Sequence, residues 1–545
     1  MKKGKGKRTV LSIVLTLIVG FLYFYFALPA INLQDPAFYG FFFIMAAVYC
    51  ASRLVFGGAT LTQGTDLKQI VSEIKRVALI PAIACLILIV VYLAGSLISA
   101  PILRARGYAA IFDMEHSIFE EDVRELSWDQ IPTLDAVSAQ RLGNRALGEL
   151  ADVVSQFEVA PHYYQINFQG RPVRVAPLVY VDIIRWFNNT RQGLPGYVIV
   201  DMVTQQAEVI RLEPGHYMRY STNEYFFRNL MRHLRFQYPT FMFDDPVFQL
   251  NEDGTPYWVA PRIARRIGLF GGEDIQGAVL VNAITGQSRY YDLEHIPVWV
   301  DRVFSATLLL QQYDWLGAYS NGFINSILGQ RDVTRTTAGF NYIAIDNDIY
   351  MYTGITSVGG DASIVGILLV NQRTRDATFY AVAGADERAG MLSAEGLVQD
   401  LRYVATFPLL LNIAGQPTYF IALKDSTDIV RQFSLVNVAQ SQIAVNATTI
   451  EEAVQLYRDR LLRQNIIDAE QIVGTYNRGT IEEIRTAVMG GETYFFIRLR
   501  GAETFYMISA VTDPYLVLLN EGSVVEIYHG GEDSDLITAH RIVRR

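Results

Sequence analysis

Apolar residues are distributed in two regimes along this chain. Before residue 101 they form unbroken runs, and after it they recur with a period. The runs cover 9–31, 37 to about 56, and 77–100. The third, VALIPAIACLILIVVYLAGSLISA, carries no charge, and it exceeds the roughly 20 apolar residues that a bilayer core requires. Three membrane-spanning helices are therefore predicted, with residues 1–100 as the anchor. No span has an ionisable residue near its middle, so neither an ion pathway nor a proton relay is expected within it.

Between 101 and 160 the pattern turns helical and acidic. Val137, Leu142, Leu147, Leu150 and Val154 fall at helical spacing along 135–157, which predicts a stalk or a docking helix pair. Glu120, Glu121 and Asp122 read as a solvated face.

From about Pro161 the period becomes strand-like, and two signatures recur in the same order. The first is a glycine before a strand: Gly170 before VRVA, Gly254 before YWVA, Gly339 before YIAI and Gly415 before TYFIA. The second is glycine, four apolar residues, Asp or Asn, two residues, then threonine. It occurs at Gly196–Asp201–Thr204, Gly277–Asn282–Thr285 and Gly366–Asn371–Thr374, with a decayed copy from Gln432 to Asn437. Asp, Asn and Thr side chains bond the local backbone in tight turns, so each copy predicts a β-hairpin. Helical segments lie between copies, as at 224–236 and at 449–461, where Thr449 and Glu452 form a capping box. The predicted unit is hairpin, insertion, hairpin, helix, four times over 161–465. Val200, Val281 and Val370 should then occupy equivalent buried positions.

The insertions vary most: 177–195, 262–276, 346–365 and 424–431. In stacked repeats, variable segments often gather on the binding face. The third, DNDIYMYTGITSVGGDASIV, is the richest in hydroxyls, glycine and tyrosine. Tyr352, Thr356, Ser357 and Asp361 are its candidate binding residues.

A helix followed by strands, closed by an Asp/Asn-x-x-Thr-Gly turn, resembles the PepSY module of bacterial envelope proteins. Asn282-Ala-Ile-Thr285-Gly286 carries the likeness best. The resemblance implies a non-catalytic extracytoplasmic module that binds a peptidase or another envelope protein.

The tail, 466–545, reads as short strands at 494–500, 505–510, 515–519 and 524–529, with a turn at Glu521-Gly522-Ser523. A small OB- or SH3-like closed sheet is expected. The fold class is thus α+β: the anchor 1–100, a helical stalk or docking segment 101–160, the four-repeat domain 161–465 and a small barrel-like domain 466–545.

Charge adds a direction to this plan. The first 100 residues hold nine Lys/Arg and three acids, a balance of +6; the whole chain is −9, so 101–545 carries −15. All nine basic residues lie in the head, at the end of the second run or in the loop 57–76, and the connector 32–36 has none. Basic flanks stay cytoplasmic. The N-terminus is therefore expected inside and 101–545 outside, with Arg104 and Arg106 opposing this weakly. An acidic body argues against a nucleic-acid partner. Its lack of cysteine removes disulfides, thiol nucleophiles and Cys-ligated zinc. Lys424 is its one lysine.

Compact catalytic motifs are missing. The seven histidines form no His-x-x-x-His pair, and there is no G-x-S-x-G elbow, Walker A or G-x-G-x-x-G stretch. His295 reads as a strand-end histidine bonding the backbone. The Gly-Gly-acid stretches at 271, 359, 490 and 530 read as turns. Asp244-Asp245 and Asp346-Asn347-Asp348 read as turns rather than calcium sites, which gather six or more oxygens. No cofactor or metal is expected. The sequence favours a non-enzymatic, membrane-anchored binding or scaffold protein of the cell envelope, with a protein or wall partner. An envelope hydrolase with an acidic or loop site, or an accessory subunit of a larger membrane complex, are the alternatives.

Overall fold

The structure, a computed structural model, describes all residues except 1, 58–66, 126–130, 346–347, 360–361, 468–474, 490–491, 511–513, 530–535 and 545. The apolar runs form three helices, α1 (Lys2–Ala27), α2 (Pro36–Gly57) and α3 (Leu67–Ile98). Within them Thr9–Ala27, Pro36–Phe56 and Ala78–Ile98 are long and apolar enough to cross a membrane. Asp35 turns the chain between the first two: its carboxylate accepts from the amides of Ala30 (3.1 Å) and Ala37 (2.9 Å).

The remainder is β-rich, and four sheets follow one another. In the first, Arg171–Tyr180 is the long strand. Phe157–Val159 and Tyr164–Phe168 share one of its edges, and Gly196–Asp201 then Ala207–Arg211 extend the other. The second arranges Met242–Phe243 and Val247–Leu250, then Pro256–Ile267, Gly271–Asn282 and Ser288–Asp292 in the same way. The third does so with Thr334–Thr336 and Asn341–Ile345, then Asp348–Ser357, Gly366–Asn371 and Ala377–Tyr380. The fourth uses Val404–Ala405 and Leu409–Ile413, then Gln416–Lys424, Val430–Asn437 and Ala444–Ala447.

The turn chemistry read from the sequence is present in all four. Asp201 accepts from the amides of Val203 and Thr204, and Asn282 from Ile284 and Thr285, all at 2.9–3.0 Å. Asn371 accepts from Arg373 and Thr374, and Asn437 from Gln440. Val200, Val281 and Val370 are fully buried. The glycines that open these strands have a packing cause: a Cβ on Gly196 or Gly277 would collide with the carbonyl oxygen of Ile210 or Tyr291 on the next strand.

Two readings need correction. In the first, second and fourth sheets the segments flanking the insertion pair with each other, as Arg174 with Val200 and Trp258 with Val281, so the insertion is the connection between central strands. In the third sheet the register moves by one strand. The lead-in strand is Asn341–Ile345, and residues 346–347, between it and Asp348–Ser357, lie outside the described residues. Gly339 was read as the turn glycine of this sheet; it is glycine because the Phe407 ring packs where its Cβ would stand.

The segment 101–160 is woven into the sheets rather than standing apart. Glu115–Ser117 runs parallel to Ala377–Tyr380 at the third sheet's edge. The Val123 carbonyl accepts from Asn412 of the fourth sheet (2.6 Å), and Thr133 donates to Met202 of the first (2.9 Å). Asp135 caps the helix Ala136–Gly148, which packs on the first sheet. Contacts close the four sheets into a ring. Tyr197 donates to Gly254 (2.7 Å), Arg375 pairs with Asp274 (2.8 Å), Asn341 donates to Pro408 (3.0 Å), and Lys424 pairs with Asp135 (2.7 Å).

The body is seated on the anchor at two places. Ser99, at the end of α3, accepts with its hydroxyl from the amides of Leu269 and Phe270 at the tip of the second sheet's long hairpin (2.9 and 3.0 Å). At the other place, Arg232 and Arg235 of the helix Leu230–Gln237 donate to the carbonyls of Tyr25 and Leu28, where α1 ends (3.0 and 2.9 Å). The α1–α2 connector joins in: Ile31 donates to Pro239 and Asn32 to Thr240.

The tail forms a closed five-stranded barrel in the order Thr475–Met489, Glu492–Leu499, Phe505–Ser509, Leu536–Arg544, Val524–His529. Ile481, Ile497, Ile508, Val525 and Ile527 fill it. The stretch expected as a strand at 515–519 is a 3₁₀ turn, Pro514–Leu518, and Leu516 from it enters the barrel core.

Candidate functional site

The four nominated residues do not form one surface. Tyr352 is central in the strand Asp348–Ser357 and buried; its hydroxyl bonds the Pro408 carbonyl. The tyrosine expected at the surface is thus a core residue, because the insertion that was to expose it is the sheet's long strand. Thr356 is buried and Ser357 half-buried, its hydroxyl accepting from Gly359 (3.2 Å). Asp361 lies outside the described residues, as do Asp346 and Asn347, Gly360, Gly490 and Gly491, and Gly530 to Glu532. Asp348 forms an ion pair with Arg373 (2.6 Å). His295 is exposed in the short turn Leu293–His295. Among the described residues, no three His, Cys, Asp or Glu are grouped to hold a metal.

A different site emerges when the sheets are compared row by row. Each signature valine faces a partner on the long strand, and that partner faces a residue on the lead-in strand. Cross-strand partners share a face. In the second sheet the row is Phe248, Trp258, Val281. In the third it is Tyr342, Met351, Val370. In the fourth it is Leu410, Tyr419, Val436. In the first it is Gln165, Arg174, Val200. Two polar residues, one of them charged, occupy positions that are aromatic or aliphatic elsewhere.

Both are buried, Arg174 at 8% exposure and Gln165 at 1%. Among the described residues, the Arg174 Nε and both ends of the Gln165 amide have no hydrogen-bond partner. Nor does any ion pair reach Arg174. Burying such groups unpaired costs several kcal/mol.

Arg174 lines a cavity of about 270 Å³ between the first, third and fourth sheets. Its wall includes Thr133, Asp135, Met202, Tyr342, Phe407 and Phe420. The strap before the capped helix supplies Thr133 and Asp135, the lead-in strand of the third sheet supplies Tyr342, and the fourth sheet supplies Phe420. Asp135 is already engaged. It pairs with Lys424 and accepts from Ser138 as the helix cap. Burial pushes its carboxyl up, but the bonds from Lys424 and Ser138 outweigh this and hold it below the ordinary value. Burial pulls the Arg174 guanidinium down to about 10, which leaves it charged at neutral pH. Arg302 is close enough to repel Arg174, and its own guanidinium lies 5.1 Å from the Tyr342 ring centre. Of the two charged side chains that line the cavity, the Asp135 carboxylate is engaged by Lys424 and the Arg174 guanidinium has no ion-pair partner among the described residues.

Arg174 was not singled out in the sequence, yet a signal was there. Aligning GRPVR, GTPYW and GQPTY sets arginine against Trp258 and Tyr419. No family model matches this chain, and no curated protein matches it.

Proposed function

We propose that this chain is a non-enzymatic, membrane-anchored binding or scaffold protein of the bacterial cell envelope. Its four sheets, read as repeats of one unit, form the extracytoplasmic body. The single observation that carries this reading is where the body sits. It bonds the connector 32–36, which has no basic residue, and it also meets the end of α3. The basic head and the 57–76 loop belong to the opposite ends of the helices. Basic residues mark the cytoplasmic side, so the body belongs on the other.

The PepSY likeness is supported by turns closed through the Asp or Asn side chain. The OB-like reading of the tail is supported by a closed sheet of five strands in the order first-second-third-fifth-fourth. The body's acidity favours a protein or wall component over nucleic acid as partner.

Reporter fusions test the topology. A fusion after Arg106 should behave as extracytoplasmic and one within the 57–76 loop as cytoplasmic. Cytoplasmic behaviour at Arg106 overturns the localisation. Recovery from solubilised membranes should yield a stoichiometric envelope protein or wall fragment; turnover of a glycan or peptide by the purified chain would make it an enzyme instead.

A further inference from the structure

We infer that the cavity at Arg174 is a binding site for a small anionic ligand, a carboxylate or a phosphate, with Arg174 as its recognising residue. This deepens the binding reading, and its test is independent of which side of the membrane the body occupies.

The argument starts from the departure in the first sheet's row. A sequence consistent with its fold fills equivalent core positions with equivalent chemistry, and departures concentrate at functional sites. Three rows are apolar or aromatic, and the fourth carries Gln165 and Arg174 at the same register. Neither residue is used by the fold. Arg174 caps nothing and bridges no strands, and the carboxylate on the cavity wall is committed to Lys424 and Ser138. A planar guanidinium presents a donor fork that matches a carboxylate or phosphate. The rest of the wall combines apolar groups such as Met202, Phe407 and Phe420 with polar ones such as Thr133, Asn341 and Thr406, and burial of the guanidinium among them strengthens a charge-assisted bond to an arriving anion. The volume, about 270 Å³, lies below the range of sites for drug-sized ligands and limits the ligand to a handful of heavy atoms.

The test uses the full chain in detergent or nanodiscs, titrated with inorganic phosphate or with acetate. Sodium chloride at equal ionic strength is the reference. One of the two anions should raise the melting temperature saturably above chloride. A phosphate-specific shift assigns a phosphorylated ligand, and an acetate-specific shift a carboxylate. Arg174→Met installs the residue found at this position in the third sheet. It should leave the unliganded melting temperature unchanged or higher, since a buried unpaired charge is removed, and abolish the shift. Arg174→Lys should fold as well and weaken the anion roughly tenfold or more, as expected for losing bidentate bonds. No shift with either anion, or a full shift retained in Arg174→Met or in Arg174→Lys, overturns the site. Destabilisation by Arg174→Met together with an anion response identical to the native chain assigns Arg174 to the fold and also overturns it.

Discussion

Asp301 shows how strongly single positions here feel the interior. Its carboxylate accepts from the Asn167 amide (2.7 Å), while its own amide donates to the Gln249 side chain (2.9 Å). Burial pushes its pKa up to about 8 from an ordinary 3.8. The sign of the consequence follows from proton counting. Between those two values the unfolded chain has released this proton and the folded chain still holds it. Stability from this group therefore falls as pH rises through that window, and it changes no further above the folded value. Asp301→Asn keeps a neutral acceptor, so it should flatten the decline in melting temperature between pH 5 and about 8. A variant with the native slope would show that Asp301 is ionised in the fold. At this scale some residues were legible and others were not. The Asp and Asn of the turns were, because they bond amides two and three residues away. The signature valines were, because their alternation is local. Tyr352 was misplaced because its depth depends on Pro408, 56 residues further on.

Elements are held by few but decisive polar links, and the helix Ala136–Gly148 is the clearest case. Asp135 both caps it and neutralises Lys424, which is itself buried and also donates to Ser138 (2.8 Å). Asp135→Ala removes a cap and strands a buried ammonium, a combined loss of roughly 3–5 kcal/mol. Lys424→Met should restore part of it, and urea unfolding of both singles and the double would measure the coupling. Additivity would mean that the pair is solvated. The helices Leu230–Gln237 and Ile450–Arg463 were legible from periodicity and capping. The third sheet's strands were not, because Gly339 serves packing where a turn glycine was read. Nor was the strand Thr475–Met489, whose alternation mixes Thr, Glu and Arg with its apolar residues.

For the whole molecule, the two regimes of the chain meet along a line of exposed apolar side chains. Ile183, Ile184 and Phe187 (74% exposed) stand on the short helix Ile183–Asn189, and Phe226 and Phe227 on the neighbouring turn. Phe227 packs on Tyr25 of α1, ring centres 5.4 Å apart. On the short helix Pro101–Ala109 that follows α3, Ile102 and Leu103 are exposed; Tyr108 of that helix meets Trp315, and past Trp315 come Ile324, Ile327 and Leu328 (82%). Such patches, contiguous with spanning helices, belong at the headgroup boundary. Fluorophores at Phe187→Cys, Phe226→Cys and Leu328→Cys, in a Cys50→Ser/Cys85→Ser background, should be quenched by spin-labelled lipid in nanodiscs. A probe at Leu392→Cys, exposed on the helix Glu387–Gly396, should not. Equal quenching at Leu392 would mean that the body lies down; none at the first three would lift it clear of the bilayer. The anchor was legible at this scale because its pattern needs no tertiary context. Closure of the sheets into a ring was not, because it depends on partners such as Lys424 and Asp135, 289 residues apart. The two-point seat has one more consequence. A body tied to α1 and to α3 turns with the helices and cannot swing like a flag on a mast. It spins about the membrane normal and drifts sideways, holding each of its faces at constant height. For a companion confined to the same bilayer, finding it is a problem of planar traffic, in which orientation is already settled before the two surfaces touch.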